Sequence, residues 1–166
     1  MNMKYPLLEV LFIKKKKLEE AEKNLKAKKE ILVKEEDKLK DLRKERDEIK
    51  THKDEKLNQL REELDKGTTS DKVQQMKAYL KIVDEKLLEK QKKVNDQKKV
   101  VENAKQEVEK ARLEYIKKQQ NVEKVELHKQ EWQKEQRIEI ERKEGNEEQE
   151  LGSLLYEAHK QKNHQK

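Results

Sequence analysis

The chain has 166 residues, of which 48% are charged, 31% are hydrophobic and only 4% are aromatic. Globular domains have about 45–50% apolar and about 25% charged residues, so this composition excludes one thick hydrophobic core. The net charge of +6 is spread along the chain with both signs interspersed, which argues against a nucleic-acid-binding protein with one basic face. Lys, Glu, Leu, Gln, Arg and Ala dominate, and these strong helix formers favour long helices over disorder.

A first helix is predicted over residues 6–66. Pro6 suits a first helical turn, where its missing N–H costs nothing. The apolar run Leu7–Ile13 is far shorter than the ~20 residues of a membrane span and leads directly into Lys14–Lys17, so it predicts a helix start and not a signal peptide. The apolar stripe first repeats every seven residues and is then expected to shift. Its members are Leu11, Leu18, Leu25, Leu32 and Leu39, followed by Leu42, Ile49, Leu57, Leu60 and Leu64.

A turn is predicted at residues 67–70, where the sequence KGTTSD interrupts two long periodic segments. Gly67 suits the left-handed position just past a helix C-terminus. Thr69, Ser70 and Asp71 are good residues for the N-cap of the next helix, and an acidic side chain there complements the helix dipole. Such a short stop and restart joins antiparallel helices.

A second helix is predicted over residues 71–144 from a heptad repeat typical of a left-handed coiled coil. The first core position of the heptad holds Val73, Leu80, Leu87, Val94, Val101, Val108, Tyr115 and Val122. The second core position holds Met76, Val83, Lys90, Gln97, Ala104, Ala111, Lys118, Val125 and Trp132. Three of these second positions are polar, so the predicted seam is imperfect.

The two helices are predicted to fold back on each other, because apolar residues pair when their numbers add up to about 136. Leu42 then faces Val94, and Leu25 faces the smaller Ala111, as interdigitated seams prefer. By the same pairing, Trp132 is expected beside Tyr5, Leu7 and Leu8. The predicted fold is all-α, a long two-helix antiparallel coiled-coil hairpin with a C-terminal helical extension. Residues 145–166 are predicted to form a polar tail with a short apolar patch over 151–156, and Gly145 is expected to end or bend the second helix.

Residue patterns for catalysis, cofactors or metals are missing. Three glycines cannot supply a phosphate-binding loop, the four histidines show no ligand spacing, and the chain has no cysteine. A two-helix hairpin also lacks a cleft that could desolvate carboxylates. The sequence therefore predicts a protein that is not an enzyme and has no catalytic residues, metal site, cofactor or small-molecule substrate.

Four segments resemble the YscO-type family of chlamydial type III secretion systems. They are YPLLEVLFIKKKK, LDKGTTSDKVQQMKAYLKIV, LHKQEWQKE and LGSLLYEAHKQK, and the similarity covers nearly the whole chain. Similarity to the wider FliJ-like group is architectural only. The resemblance implies a non-enzymatic, cytoplasmic protein, peripheral to the inner membrane at the secretion apparatus. It also implies a central stalk between the secretion ATPase and the export gate, with chaperones or the needle-length regulator as further partners.

The resemblance to gamma-type stalks implies that the terminal end of the hairpin meets the ATPase. The residues expected there are Leu8, Phe12, Lys14, Lys15, Lys16, Lys17, Trp132, Leu154, Leu155 and Tyr156. The turn end is expected to make a lighter contact, for example with the export gate, through Lys66, Gly67, Thr68, Thr69, Ser70 and Asp71. The stalk is expected to be monomeric or weakly self-associating. A self-associating cytoplasmic coiled-coil scaffold is the main alternative, and a basic nucleic-acid-binding rod is a third.

Overall fold

The structure is a computed structural model that describes residues 3–164, and those residues form two helices and no strand. Helix α1 comprises Leu8–Asp65 and helix α2 comprises Ser70–His164. The described residues divide into two compact units. The hairpin unit contains residues 21–115, and the terminal unit contains residues 3–20 together with 116–164. The all-α prediction with two packed helices is confirmed.

Within the hairpin unit, α1 and α2 run antiparallel on either side of the turn. Lys28 lies 3.9 Å from Glu107, while Lys72, close to the turn, lies 3.4 Å from Glu63. The core is thin and centred on Leu39, Val94 and Val101, with Leu32 and Leu42 packed against it. Val94 is completely buried. The predicted pairing therefore describes the observed seam of this unit.

All seventeen predicted heptad positions of α2 are buried or half-buried. Polar Lys90, Gln97 and Lys118 lie on the same face as the apolar residues. The heptad repeat that was assigned from the apolar residues therefore also places these polar residues correctly. Helix geometry alone keeps every seventh residue on the same face, whatever its side chain.

The seam of α1 differs from the predicted shifting stripe, because a series of buried and half-buried residues with a regular three–four spacing continues along the whole helix. The series comprises Leu11, Lys14, Leu18, Ala21, Leu25, Lys28, Leu32, Glu35, Leu39, Leu42, Arg46, Ile49, Lys53, Lys56, Leu60 and Glu63. His52 and Leu57, each next to a member of the series, are half-buried as well, and Leu57 was predicted in the stripe. Lys and Arg can bury their aliphatic stems while the charged heads stay in water. The apparent shift was therefore a run of charged residues at seam positions, and Leu64, predicted in the stripe, is 50% exposed.

Helix α2 does not end at Gly145, contrary to the predicted boundary. It continues through Gly145 and Gly152 to His164. A glycine inside a helix costs only about 1 kcal/mol relative to alanine, and the flanking Glu, Gln and Leu residues are strong helix formers. Gly145 is followed by only one poor helix former, Asn146, and then by Glu and Gln residues, whereas Gly67 is followed by Thr68, Thr69, Ser70 and Asp71.

Candidate partner-binding surfaces

The turn at the end of α1 is a Schellman motif built around Gly67. The Thr68 N–H donates to the Glu63 carbonyl at 3.3 Å, and the Gly67 N–H donates to the Leu64 carbonyl at 3.2 Å. Gly67 has a φ of 75°, a left-handed conformation that glycine adopts without steric penalty. Two of the last carbonyls of α1 are satisfied within the turn.

Helix α2 restarts immediately after this turn. The Thr69 carbonyl accepts from the Val73 N–H at 3.2 Å, which makes Thr69 the N-cap residue. Ser70 and Asp71 occupy the first turn of the helix. The negative charge of Asp71 interacts favourably there with the positive end of the helix dipole. Of the six residues predicted at the turn end, Lys66 and Gly67 form the turn, Thr68 and Thr69 link the helices, and Ser70 and Asp71 begin α2.

The charged seam positions of the hairpin unit find partners on the opposite helix. Arg46 donates to Gln91, Lys53 pairs with Asp84, and Lys90 lies 2.7 Å from Glu45. The hydrogen bond from Gln97 is the main cause that holds the pKa of Glu35 below its usual value. The hydrogen bond and charge of Lys90 do the same for Glu45. These pairs specify which residues face each other.

An aromatic cluster of the hairpin unit was not predicted. The hydroxyl of Tyr79 and Nε2 of His52 share a hydrogen bond of 2.8 Å, and Lys56 Nζ lies 5.9 Å from the Tyr79 ring centroid. Tyr79 remains 44% exposed. The predicted antiparallel pairing of the two helices could have indicated this cluster, because it brings the segments around His52 and Tyr79 together.

The start of α1 exposes apolar and basic side chains side by side. Leu8 is 47% exposed, Phe12 is 70% exposed, and Ile13 is 51% exposed. Of Lys14–Lys17, which follow directly, Lys14 is half-buried and Lys15 lies 3.2 Å from Glu126. Lys16 and Lys17 are exposed and form no ion pair with any described residue. Leu8, Phe12, Ile13, Lys16 and Lys17 are called the α1-start surface below.

Trp132 packs in a cluster around Tyr5, whereas Leu8 and Phe12, which were predicted at the same end of the hairpin, are exposed. Tyr5 is 6% exposed, its ring lies edge-on to Trp132 at 5.5 Å between centroids, and its hydroxyl shares a 2.6 Å hydrogen bond with His128 Nδ1. The predicted neighbourhood of Trp132 and Tyr5 is confirmed. Tyr5 occupies the site because it can fill the seam and satisfy its hydroxyl at once, whereas Leu8 and Phe12 face outward.

The apolar residues near the end of α2 form a separate surface. Leu154, Leu155 and Tyr156 are 65%, 64% and 71% exposed. Leu151, the first of this group, is about 30 Å along the continuous helix from Trp132 at 1.5 Å per residue. Nine of the ten residues predicted at one ATPase-binding end are therefore divided between the seam, the α1-start surface and this distal surface. The tenth, Lys15, is exposed and paired with Glu126.

Within residues 3–164, no group of three or more His, Asp or Glu side chains is arranged to hold a metal ion. No helix in this range is long and apolar enough to cross a membrane. What the described surface offers is a set of exposed apolar and charged side chains on two helices, an arrangement suited to contacts with other macromolecules.

The sequence of this chain matches a known protein family over nearly its whole length. The YscO-like protein family matches residues 2–162. The chain belongs to the YscO-like family. YscO-like proteins are type III secretion components of the non-catalytic, structural or adaptor kind.

Two solved structures of chlamydial proteins are similar to this YscO-like chain. The structure of CT670 from Chlamydia trachomatis, a proposed YscO homolog, is 46% identical with a TM-score of 0.89, covering 96% of this chain and 99% of that one. A chain in the Chlamydia pneumoniae CdsV and CdsO protein complex is 48% identical with a TM-score of 0.48, covering 51% of this chain and 98% of that one. No curated protein matches the chain.

Proposed function

We propose that this YscO-like chain is a central-stalk adaptor that links the secretion ATPase to the export gate of a type III secretion system. The observation that carries the proposal is the α1-start surface, which combines exposed apolar side chains with unpaired lysines in a chain of this family. The adaptor acts by contact and not by chemistry. Its place is the cytoplasmic side of the inner membrane, at the secretion apparatus.

The α1-start surface is the proposed contact for the ATPase. Phe12 is 70% exposed next to Leu8 and Ile13, and contiguous apolar side chains with a polar rim mark interaction sites on soluble proteins. Lys16 and Lys17 add positive charge that steers an acidic partner surface and raises the association rate. An acidic, partly apolar pore of the ATPase ring is the partner surface that fits.

The turn is the proposed contact for the export gate. Its backbone groups are satisfied by the Schellman motif and the Thr69 N-cap, so the residues 66–71 present a stable polar surface. Polar contacts of this kind produce weak, reversible binding, which suits a partner that must be engaged and released. Chaperones or the needle-length regulator are proposed as further, transient partners of the charged helix faces.

The α1-start surface is tested by binding of the purified chain to the cognate secretion ATPase. The variant carries Lys16→Glu and Lys17→Glu, and it leaves the Lys15–Glu126 pair intact. We expect a weaker affinity and a smaller dependence on salt concentration, because two favourable charges are reversed. The matched control carries Lys66→Glu and Lys77→Glu at and near the turn, with the same change in net charge, and should bind the ATPase normally.

The opposite binding results for the two variants would contradict the assignment of the α1-start surface to the ATPase. If the control variant loses the ATPase while the Lys16 and Lys17 variant keeps it, the two surfaces have been assigned to the wrong partners. If both variants bind like the wild type, the α1-start surface is not the ATPase contact. Circular dichroism of each variant establishes that the helices are intact in these comparisons.

A further inference from the structure

The last part of α2 carries an apolar face that no described residue covers. Leu151, Leu154, Leu155 and Ala158 are spaced as neighbours on one side of a helix. Each is exposed, and the three leucines are 58%, 65% and 64% exposed. These four residues are called the tail face below. Tyr156, 71% exposed, projects from the opposite side of the same helix by the 3.6-residue period.

The segment that carries the tail face would gain stability from a partner that covers this face. Gly145 and Gly152 both lie within α2, and each weakens a helix relative to alanine. An isolated helix is marginal in water, and most helices are stabilised by packing of an apolar face. The tail face is the apolar face that this segment has available for such packing.

The charges around the tail face are arranged asymmetrically along the helix. Glu147, Glu148 and Glu150 precede the leucines, whereas Lys160 and Lys162 follow them. Neither Glu147 nor Lys162 forms an ion pair with another described residue. The helix therefore carries acidic residues before its apolar face and basic residues after it. When two copies of such a helix pair antiparallel, the acidic residues of each copy lie opposite the basic residues of the other.

We propose that the tail face binds the tail face of a second copy of this chain, with the two helices antiparallel. A two-fold axis then passes between Leu154 and Leu155, so that each Leu154 faces Leu155 of the second copy. Leu151 faces the smaller Ala158 of the second copy, and Glu147 faces Lys162 of the second copy. Such an isologous contact uses one self-complementary patch twice.

The charges also select the antiparallel direction. In a parallel pair, Glu147 faces another Glu147 and Lys162 faces another Lys162, and like charges in register oppose association. The contact spans about four helical turns, so its buried area is smaller than the ~1,200 Å² of a stable interface. The dimer is therefore weak and reversible, and it leaves the α1-start surface unoccupied.

Sedimentation equilibrium of the full chain tests the contact, over concentrations from about 1 μM to 1 mM. We expect a concentration-dependent monomer–dimer equilibrium for the wild type. The variant with Leu154→Ala and Leu155→Ala should weaken the dimer by at least about tenfold in Kd, because burial of two leucines is lost. Alanine is the best helix former, so the substitutions do not weaken the helix itself.

Tyr156→Ala is the matched control, because it removes a large exposed side chain from the opposite side of the same helix. Its dimer should have the Kd of the wild type. A wild type that is monomeric over the whole range, or a dimer that tolerates the leucine variant, overturns the proposal. A dimer lost equally in the Tyr156 variant also overturns it, since the contact would not follow the tail face.

Charge exchange tests the direction of pairing. Glu147→Lys alone and Lys162→Glu alone should each weaken the dimer, because like charges then face each other. An equimolar mixture of these two variants should restore association, since every charge then meets its opposite in the mixed dimer. Two weakened variants that fail to rescue each other contradict the antiparallel arrangement. Lys134→Glu, about 20 Å along α2 from Glu147 and outside the proposed contact, is the control and should dimerise normally.

This inference goes beyond the adaptor function and fails separately from it. The Lys16 and Lys17 variant should dimerise like the wild type while binding the ATPase weakly. The leucine variant of the tail face should show the reverse behaviour. A leucine variant that dimerises normally but no longer binds the ATPase would contradict the self-pairing and leave the adaptor function standing.

Discussion

Tyr5 and His128 are 123 residues apart in the sequence and share a hydrogen bond of 2.6 Å between the Tyr5 hydroxyl and His128 Nδ1. The Tyr5 ring also contacts Trp132. The segment before α1 is thereby attached to α2 by one buried side chain that is both apolar and hydrogen-bonded. Because Trp132 is the sole tryptophan of the chain, its fluorescence reports directly on this cluster.

Replacing Tyr5 with alanine should expose Trp132 and loosen the terminal unit. We expect a red shift of the tryptophan emission and a loss of about 3 kcal/mol of stability in denaturation followed by this fluorescence. Tyr5→Phe keeps the ring and removes only the hydroxyl, so it should lose about 1 kcal/mol. Phe12→Ala is the control, since Phe12 is 70% exposed, and it should leave the emission unchanged. Equal spectra for Tyr5→Ala and the wild type would contradict the cluster.

The thin core of the hairpin unit should depend on Val94. Val94 is fully buried, whereas Val100 is 42% exposed on the same helix. Val94→Ala should lower the free energy of unfolding by about 1–3 kcal/mol, because buried methyl groups are removed and a cavity is left. Val100→Ala makes the same chemical change and should cost less than about 0.5 kcal/mol. Urea denaturation followed by circular dichroism measures both, and equal losses would contradict the assigned seam.

The glycines of the chain should respond to substitution in opposite directions. Gly67→Ala should destabilise the hairpin by about 1 kcal/mol, because its φ is 75° and alanine is strained there. Gly67→Asn should lose less, since asparagine tolerates the left-handed region. Gly145→Ala should instead strengthen α2 by up to about 1 kcal/mol locally, since nothing lies within 4 Å of the added Cβ.

Thermal denaturation measures the Gly67 variants, and amide hydrogen exchange near residue 145 measures the Gly145 variant. A Gly67→Ala protein as stable as the wild type would show that the left-handed cap is not needed. Faster exchange after Gly145→Ala would show that α2 is interrupted at that position.

The cross-helix glutamates should make the hairpin sensitive to acid. The pKa of Glu35 is lowered mainly by the hydrogen bond from Gln97, and that of Glu45 by its hydrogen bond and attraction to Lys90. A carboxyl whose pKa is lower in the folded state stabilises the fold above its unfolded pKa and loses this contribution as the pH falls. Stability should therefore decline below the usual glutamate pKa of 4.5.

A variant with Glu35→Gln and Glu45→Gln tests this pH dependence. Its stability at neutral pH should be lower than that of the wild type, and its decline between about pH 5 and pH 3 should be shallower. The control variant carries Glu36→Gln and Glu48→Gln, two exposed residues of α1, and should keep the decline of the wild type. A steep decline in the first variant would show that other carboxyls cause the acid sensitivity.

The fold was largely predictable because the heptad of α2 and the single strong stop at Gly67 specify two packed helices. The seam of α1 was harder to predict, since Arg46 and Lys53 occupy core positions that an apolar pattern does not count. Across the seam, Arg46 donates to the neutral Gln91 and Lys53 pairs with Asp84, while the ion pair of Arg46 is with the adjacent Asp47. The contacts across the seam become visible only when both helices are considered together.

The candidate surfaces were less predictable than the fold. Tyr5 was expected near Trp132, but its buried hydrogen bond to His128 requires the register of both helices. The resemblance to gamma-type stalks grouped Leu154 with Phe12 at one end of the hairpin, and Gly145 was expected to end or bend α2. Local helix propensity overrode that glycine, and the continuous helix separates the two surfaces. The heptad repeat and the turn sequence thus predict how the two helices pair. They do not predict which side chains remain exposed.

A linking role requires that this chain binds the secretion ATPase and the export gate at the same time, and a retention experiment measures this. The secretion ATPase is immobilised, and the cytoplasmic domain of the export gate is added with and without the purified chain. We expect the gate domain to be retained only when the chain is present, and we expect the variant with Lys16→Glu and Lys17→Glu to retain less of it. Binding of each partner to the chain in separate experiments, with no gate domain retained when all three proteins are present, would contradict a linking role.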